Sequence, residues 1–437
     1  MRASLSDEQV VTGARFAILL ALLVAVYFAA GKFGLGFAVV HRSASAIWPP
    51  TGVAIAALLI LGLRAWPAIL LGAFLVNVSV DGRFVTAACI AVGNTLEGVV
   101  AAGLVMRSAS GVRCFERPRD IFRFMALAAL CATLISPTWG VTTLAVAGAA
   151  DWSAFGRIWL TWWLGDAVGA VIVTPLIVLW YRQLRLDLPA SRLLEACGML
   201  ALVAAVSVFV FFRPTPLLSF MVLPALAWAA FRFGQREVAT AMGLLALIAI
   251  FGTVQGRGPF AIVDASASLL ALQAFLGTIA VMMLAIAAFV GERREAMQDA
   301  QSANRAKDQF IAMLSHELRN PLQAIGSSAG LLGQPSLPDH VLRQSVDIIQ
   351  RQTDNLTRLV NDLLDVTRVV EGKSSLFLQP VDLAETVRRS MATLASSGRT
   401  DRHRIEICIE PAWVQGDAVR LDQVVVNLLT NAIKYTP

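Results

Sequence analysis

Residues 310–322 read Phe310-Ile-Ala-Met-Leu-Ser-His-Glu-Leu-Arg-Asn-Pro-Leu322. Apolar residues recur in this stretch at spacings of three and four, which predicts an amphipathic helix. His316 follows Leu314 by two positions, so the helical period turns it about 200° away from the apolar side. The sequence therefore predicts a histidine beside a carboxylate, Glu317, that is presented to solvent and not buried in a core.

The same apolar pattern extends outward into a helical hairpin. The face of the first arm is formed by Phe310, Leu314, Leu318, Leu322, Ile325, Ala329 and Leu332. After a turn at 333–338, the second arm carries apolar residues one heptad apart at Leu342, Ile349, Leu356, Leu363 and Val370. A lone hairpin would leave this seam exposed, so we expect two chains to pair into a four-helix bundle, which makes the protein a homodimer.

The region before this hairpin has the composition of a membrane protein. Hydrophobic residues make up 57% and charged residues 15% of the chain, against about 45–50% and about 25% in soluble proteins. The apolar bias is confined to about the first 290 residues. We predict about ten spans of the usual length of roughly 17–25 residues, at 14–38, 46–63, 66–81, 84–106, 121–147, 156–181, 192–212, 216–232, 237–255 and 267–290.

Charged residues in the short loops predict the orientation of these spans. With the N-terminus in the cytoplasm, most of the loop arginines lie on the cytoplasmic side, as the positive-inside rule requires, and His316 is cytoplasmic as well. The net charge of +6 comes from these scattered arginines. They form no basic stripe, so a nucleic-acid partner is not expected. The five cysteines show no CxxC spacing and indicate neither a disulfide nor a zinc site.

Polar residues inside the predicted spans are further candidates for function. An ionisable group at membrane depth is costly and usually faces the bundle interior or a cavity. The candidates are Asn77, Asn94, Glu97 and Asp166. Two interpretations stay open: these side chains hold the helices together by hydrogen bonds, or they form a site for a ligand or a proton.

Four short motifs surround these polar residues, in the order Trp48-Pro-Pro-Thr-Gly52, Gly62-Leu-Arg-Ala-Trp-Pro67, Gly93-Asn-Thr-Leu-Glu97 and Trp162-Trp-Leu-Gly-Asp166. Over about residues 10–290 the set resembles the membrane-associated sensor domain of the first MASE type, an input module of bacterial signalling proteins. The resemblance implies an all-α polytopic sensor domain, here 1–291, embedded in the lipid of the bacterial inner membrane. Residues 292–308 contain neither Pro nor Gly, which predicts one continuous signalling helix over 292–309.

Ser315-His-Glu-Leu-Arg-Asn-Pro-Leu322 is similar to the phosphoacceptor box of sensor histidine kinases. The resemblance implies that His316 takes a phosphoryl group from ATP and passes it to an aspartate in the receiver domain of a response regulator. Glu317 would hold the other ring nitrogen, and Asn320 would orient water for dephosphorylation of the regulator. The dimerisation and phosphotransfer domain would be 310–372. Pro321 is expected to bend the helix just after the histidine.

Residues 373–437 mix helix and strand patterns. A helix is predicted from Val381, a strand at 404–409, a short strand around 413–415 and a helix from Asp417. The last helix contains Leu421-Asp-Gln-Val-Val-Val-Asn-Leu-Leu-Thr-Asn-Ala-Ile-Lys-Tyr435. It resembles the asparagine-rich box of the kinase ATP-binding domain, which implies ATP binding by Asn427, Asn431, Lys434 and Tyr435. By the same resemblance, Asn431 coordinates the Mg²⁺ that accompanies ATP.

The sequence stops inside this motif, at Pro437. We therefore expect an incomplete α/β-sandwich ATP-binding domain and a chain that is a fragment of a longer kinase. Two other interpretations stay open. A polytopic transporter with a regulatory tail would keep substrate flux after deletion of everything beyond Gly291. A non-catalytic receptor or phosphotransfer scaffold would be phosphorylated on His316 only when an intact kinase domain is supplied in trans.

Overall fold

The structure is a computed structural model of the chain. It describes residues 13–41, 44–183, 189–213, 216–262, 264–334, 338–370, 377–396 and 403–436. The chain divides into two compact units, Met1–Ser302 and Ala303–Pro437, here called the membrane unit and the C-terminal unit. Most described residues of both units are helical, as the sequence predicted.

The membrane unit contains ten helices and the first part of an eleventh among its described residues. They are α1 (Gly13–Leu35), α2 (Pro49–Leu61), α3 (Trp66–Asp81), α4 (Phe84–Ser108), α5 (Pro118–Phe124), α6 (Ile135–Val146), α7 (Phe155–Arg182), α8 (Ala190–Phe211), α9 (Val222–Arg232), α10 (Gln235–Val254) and α11 (Ala265–Leu332).

The described residues contain eight helical segments that are long and apolar enough to cross a membrane. These segments coincide with eight of the predicted spans. The remaining two predicted spans, 46–63 and 216–232, coincide with the shorter apolar helices Pro49–Leu61 and Leu218–Arg232. The sequence therefore located the apolar helices correctly, and two of them are shorter than a full span.

Helix α2 is short and is surrounded by other helices of the membrane unit. It begins with Pro49 and Pro50, which the first helical turn tolerates because its N–H groups have no partner within the helix. Residues 49–56 are all buried, and α2 contacts α1, α4 and α7. The chain reaches α2 through the antiparallel strands β1 (Ala38–His41) and β2 (Ala44–Ser45). A helix that is apolar all round belongs in an interior, and α2 is the centre of the bundle.

The predicted span 121–147 is not one regular helix. It consists of the end of α5, a π-helical segment at Met125–Cys131, a 3₁₀ turn at Ala132–Leu134 and α6. Pro137 has no N–H to donate, and the Thr133 hydroxyl binds the Ala129 carbonyl at 2.6 Å. Both features favour a shift in the backbone hydrogen-bond pattern. Ser136, which is buried, lies two positions after this irregular segment.

The C-terminal unit contains the rest of α11, then α12 (Asp339–Val370), β3 (Gln379–Asp382), α13 (Leu383–Ser396), β4 (Trp413–Gly416) and α14 (Ala418–Tyr435). Strands β3 and β4 are antiparallel, with Gln379 opposite Gly416 and Asp382 opposite Trp413. The helix predicted over 292–309 lies within α11, which also contains Pro321. The bend expected at Pro321 stays a prediction.

Two details of the C-terminal unit differ from the sequence-based prediction. Residues 404–409 are not a strand, because a strand needs a neighbour for its N–H and C=O groups and no described strand pairs with them. Ile405 and Ile407, expected on a buried face, are 39% and 53% exposed. The helix predicted from Val381 begins at Leu383, since Val381 belongs to β3. The strand predicted around 413–415 is confirmed as β4, and with one strand pair described in this unit the ATP-binding domain is incomplete within this chain.

Candidate functional sites

His316 lies on α11 with its side chain exposed, as the helical period predicted. Glu317 and Asn320 are exposed as well, while Leu314 and Leu318 are half-buried. One turn of helix therefore presents an imidazole, a carboxylate and an amide to solvent on the polar side of α11. This arrangement leaves the imidazole accessible to a large reaction partner.

The apolar seam of the hairpin is largely uncovered in the single chain. Exposed apolar side chains on the two arms include Phe310, Leu322, Leu342, Val346 and Val360. Apolar side chains repeated at this spacing on exposed helices are typical of a surface that packs against other helices. The seam that the sequence predicted thus has no covering element among the described residues of this unit.

Helix α14 carries the four residues predicted to bind ATP. Asn427 and Asn431 are exposed and lie one turn apart, on the same side of the helix. The Lys434 ammonium lies 5.0 Å from the centre of the Tyr435 ring. An exposed amide oxygen can serve as one ligand of Mg²⁺, which takes few protein ligands when it bridges phosphates. The residues present therefore fit part of a Mg²⁺–nucleotide site.

The start of α14 is fixed by Asp417. Its carboxylate accepts hydrogen bonds from the backbone N–H of Val419 at 3.0 Å and of Arg420 at 3.3 Å, and from that of Phe377 at 3.1 Å. These N–H groups, that of Phe377 first, lower the pKa of the Asp417 carboxyl. The cap thus joins the segment before β3 to the helix that carries Asn427 and Asn431.

Three of the four polar residues predicted at membrane depth meet in the centre of the membrane unit. Glu97 and Asn94 on α4 and Asp166 on α7 are buried. The Thr51 hydroxyl of α2 donates to Asp166 Oδ1 at 3.1 Å, and the Ser136 hydroxyl of α6 donates to Asn94 Oδ1 at 2.7 Å. We call Thr51, Asn94, Glu97, Ser136 and Asp166 the polar cluster.

Asn77, the fourth of these residues, makes a different contact. Its amide donates to the Ala73 carbonyl at 2.8 Å, one turn earlier on its own helix α3. This bond satisfies the amide locally, and no bond joins Asn77 to the polar cluster among the contacts of the described residues.

Comparison with known proteins follows the division of the chain. Residues 19–294 match the MASE1 family, and residues 306–372 match the His Kinase A (phospho-acceptor) domain. The first match covers more than half of the chain. The chain belongs to the MASE1 family. It combines a MASE1 membrane sensor domain with a His Kinase A domain that contains His316.

Three similar proteins are described as histidine kinases or as sensor-like histidine kinases. The chain is 35% identical to the signal transduction histidine-protein kinase BarA of Escherichia coli over 144 residues, which is 32% of this chain and 16% of BarA. It is 33% identical to the circadian input-output histidine kinase CikA of Synechococcus elongatus over 148 residues, 32% of this chain and 20% of CikA. An uncharacterized sensor-like histidine kinase of Rhizobium meliloti is 34% identical over 142 residues, 31% of this chain and 27% of that protein. The chain thus spans about a quarter or less of these relatives.

The MASE1 domain contains one functional candidate that the sequence-based prediction missed. Gln273 of α11 is 1% exposed. Its Nε2 donates to the carbonyls of Ala46 at 3.1 Å, Thr161 at 3.2 Å and Ser45 at 3.4 Å. The signal in the sequence was a lone amide inside the apolar run 267–290. Gln273 thus links α11 to α7 and to the segment that leads into α2.

Glycines let that segment lie directly against α7 of the MASE1 domain. The Trp48 N–H donates to the Gly165 carbonyl at 3.0 Å. A Cβ at Gly169 would lie 2.2 Å from the Trp48 oxygen, and one at Gly52 would lie 2.5 Å from the Gly169 oxygen. Asp166 lies between the two glycines of α7, so its position is fixed by the closest backbone approach in this part of the bundle.

Proposed function

We propose that the chain is the sensing and phosphoacceptor part of a membrane sensor histidine kinase of a two-component system. The observation that carries the proposal is the exposed His316, with Glu317 and Asn320, in a His Kinase A domain on the helix that also carries Gln273 of the MASE1 domain. Because α11 is common to both, a change in its packing in the membrane unit has a covalent connection to the phosphoacceptor. The predicted domains 1–291, 292–309, 310–372 and 373–437 are part of this proposal.

The chemistry of His316 is phosphoryl transfer. A neutral imidazole nitrogen attacks the γ-phosphorus of ATP, a nitrogen–phosphorus bond forms, and the bond from phosphorus to the ADP oxygen breaks. Glu317 accepts the proton of the other ring nitrogen as positive charge develops on the ring, and returns it when the phosphoryl group leaves. The phosphoryl group then moves to a carboxylate oxygen of an aspartate in a response regulator, which restores the neutral histidine.

Dephosphorylation of the response regulator is assigned to Asn320. Its amide is exposed one turn after His316, where it can hold a water molecule against the phosphoaspartate of a docked receiver domain. Hydrolysis then releases inorganic phosphate and the free aspartate. The same exposed surface thus serves the kinase and the phosphatase directions.

ATP and Mg²⁺ are assigned to α14. Asn431 would supply an amide oxygen to Mg²⁺, and Asn427, Lys434 and Tyr435 would contact the nucleotide. The metal would supply neutralisation of phosphate charge during phosphoryl transfer. The described part of residues 373–437 supplies a single pair of strands beside this helix.

Features described above support the proposed assembly and location. The exposed seam of α11 and α12 supports a homodimer in which the two hairpins form a four-helix bundle. The apolar helices support a multi-pass protein of the bacterial inner membrane, with lipid around the MASE1 domain. Loop arginines support a cytoplasmic N-terminus and kinase region, and no nucleic-acid partner is proposed.

Replacement of the phosphoacceptor tests the proposal. In the protein in lipid nanodiscs, with an intact histidine-kinase ATP-binding domain supplied in trans, His316→Gln should abolish incorporation of acid-labile phosphate from radiolabelled ATP, because glutamine has no nucleophilic ring nitrogen. The matched control is His340→Gln, at an exposed histidine near the start of α12. This variant should be labelled at the wild-type rate.

The proposal fails if His316→Gln is labelled as fast as the wild type, or if His340→Gln loses labelling instead. Cross-linking of the dimer distinguishes a lost phosphoacceptor from lost assembly. The His316→Gln variant should remain a dimer because its side chain lies off the apolar seam.

A further inference from the structure

The polar cluster contains two carboxyl groups that are withdrawn from solvent. Glu97 is 1% exposed and Asp166 is 0% exposed. They are close neighbours, and each also lies beside Thr51 and Ser136. Two ionised carboxylates at this depth would repel each other, and each would have lost its hydration shell. The site therefore needs a compensating positive charge.

No side chain of the described residues supplies that charge. Tyr27 of α1 is the other titratable group that faces the pair. The uncharged polar side chains near the pair include Thr51 of α2 and Ser136 of α6. Gln273 of α11 binds the Thr161 carbonyl, one to two turns before Asp166 on α7. None of the ion pairs among the described residues includes Glu97 or Asp166. Buried acidic groups that lack a cation usually exist in a neutralised form.

The hydrogen bonds of the cluster are also incomplete. Both oxygens of Glu97 and Asp166 Oδ2 are buried and make no hydrogen bond among the described residues. The neighbouring Thr51 and Ser136 hydroxyls donate their single protons to Asp166 Oδ1 and Asn94 Oδ1, and the Trp162 indole lies beside Asp166. These unsatisfied acceptors exceed the one unsatisfied donor of the cluster, Asn94 Nδ2. An added donor is what the site lacks, since a buried polar atom without a partner is costly.

We propose that Glu97 and Asp166 together bind one exchangeable proton. Loss of this proton loosens the contact between α7 and the segment that leads into α2, to both of which Gln273 is hydrogen-bonded. A shared proton supplies one positive charge and one O–H donor between two acceptors, and it needs no cavity. The described residues contain no group of three or more acidic, histidine or cysteine side chains that could hold a metal ion. The signalling meaning of the second half rests on the proposed function, whereas proton binding itself does not.

The connection from the proton to α11 runs through backbone contacts. The Thr51 hydroxyl holds Asp166 at 3.1 Å, so α2 and α7 are joined at the carboxyl pair. Just before Thr51 in the chain, the segment 45–48 lies against α7 at Gly165 and Gly169. Gln273 binds this segment and α7 together. When the proton leaves, repulsion between Glu97 on α4 and Asp166 on α7 displaces Asp166 relative to Thr51, and this displacement loosens the contact of α7 with the segment that Gln273 binds.

Infrared difference spectroscopy of the full chain in lipid nanodiscs detects the proton directly. The wild type should show the C=O stretch of a protonated carboxylic acid, lost over about two pH units as expected for one proton. Glu97→Gln and Asp166→Asn should each shift this band or the pH at which it is lost, and the double variant Glu97→Gln/Asp166→Asn should remove it. The matched control is Asp120→Asn, because Asp120 is also buried but accepts a hydrogen bond from Ser110 at 2.7 Å and faces Arg123 at 3.5 Å. This variant should keep the band.

Addition of sodium distinguishes a site that binds a proton from one that binds a sodium ion. At constant pH, exchange of choline for sodium should leave the band unchanged. Loss of the band on addition of sodium, or absence of a pH-dependent band that requires Glu97 and Asp166, overturns the proposal. Neither result depends on kinase activity, so the proposed function stands or fails separately.

Hydrogen exchange tests the connection to Gln273. At one fixed alkaline pH, amides of residues 44–52 should exchange about tenfold faster in the wild type than in the doubly neutral variant Glu97→Gln/Asp166→Asn. The peptide containing Gln273 should follow the same pattern, and both proteins should agree at acidic pH. Equal exchange at both pH values overturns the second half of the proposal, and Asp120→Asn should behave as the wild type does.

Discussion

The phosphoacceptor turn and the polar cluster are built in opposite ways. His316, Glu317 and Asn320 come from one turn of one helix and are exposed, whereas Thr51 and Asp166 are 115 positions apart and buried. Substitution at the exposed turn therefore removes chemistry and leaves stability nearly unchanged. Substitution at the cluster disturbs several helices at once. The difference teaches that the reactive group of this chain is local and that the candidate input site is a property of the whole bundle.

The largest expected effect on stability comes from Gly169→Ala. A methyl group there would lie 2.2 Å from the Trp48 oxygen, so α7 and the segment before α2 must separate. We expect a loss of about 3 kcal/mol in the free energy of unfolding of the membrane unit, in the upper range for overpacking. Denaturant titration in detergent, followed by tryptophan fluorescence, measures this loss.

Gly103→Ala on α4 is the control for this substitution, because a Cβ at Gly103 would meet nothing within 4 Å. It should be neutral, or slightly stabilising through the higher helix propensity of alanine. Equal stability of the two variants would break the comparison, since it would show that the backbone contact at Gly169 does not hold the bundle together.

A smaller effect is expected from Thr51→Val. Valine has nearly the shape of threonine but cannot donate to Asp166 Oδ1, so a buried acceptor loses its partner. We expect a loss of about 1–2 kcal/mol in the free energy of unfolding. The same denaturant titration measures it.

Thr142→Val is the control for this substitution. Thr142 is exposed, and its hydroxyl binds the Thr138 carbonyl of its own helix at 2.6 Å. The substitution should change stability by less than about 0.5 kcal/mol. If both threonine variants lost the same stability, the effect would belong to the valine side chain and not to the hydrogen bond with Asp166.

The smallest expected effect lies at Asp417, a half-buried residue of the C-terminal unit outside the polar cluster. Asp417→Ala removes the acceptor for the N–H groups of Val419 and Arg420, so amides in the first turn of α14 should exchange faster than in the wild type. Because backbone N–H groups lower the pKa of this carboxyl, its contribution is present above the ordinary aspartate range and is lost as the pH falls below about 4.

Asp417→Asn is the matched control, since asparagine also caps helices but does not titrate. Local amide exchange should show protection close to the wild type at neutral pH and no loss of protection specific to acid. A wild-type cap that kept its full effect in acid would contradict the role of the charged carboxylate.

Much of the architecture was predictable because it depends on short-range periodicity. The helical period alone placed His316 off the apolar face, and runs of apolar residues located the membrane helices. Asn427 and Asn431 share a face for the same reason. Their roles toward ATP and Mg²⁺ stay predictions, because those roles depend on a partner and not on the period.

The interior contacts were not predictable from one sequence. Pairing of Thr51 with Asp166 depends on how α2 and α7 approach each other, which the period of neither helix contains. The strand predicted at 404–409 was wrong because alternation describes a face but not the neighbour that a strand needs. Asn77 was grouped with Asn94 on polarity alone, whereas its amide is satisfied within its own helix.

Gln273 binds carbonyl oxygens of the main chain at Ser45, Ala46 and Thr161, and this has a consequence for how the contact evolves. Every amino acid supplies the same carbonyl, so this hydrogen bond does not itself constrain which side chains occupy positions 45, 46 and 161. Paired substitutions between position 273 and these positions are therefore not expected in related chains. In a set of related sequences, the contact would show only as a glutamine that is retained at position 273 whatever residues occupy positions 45, 46 and 161.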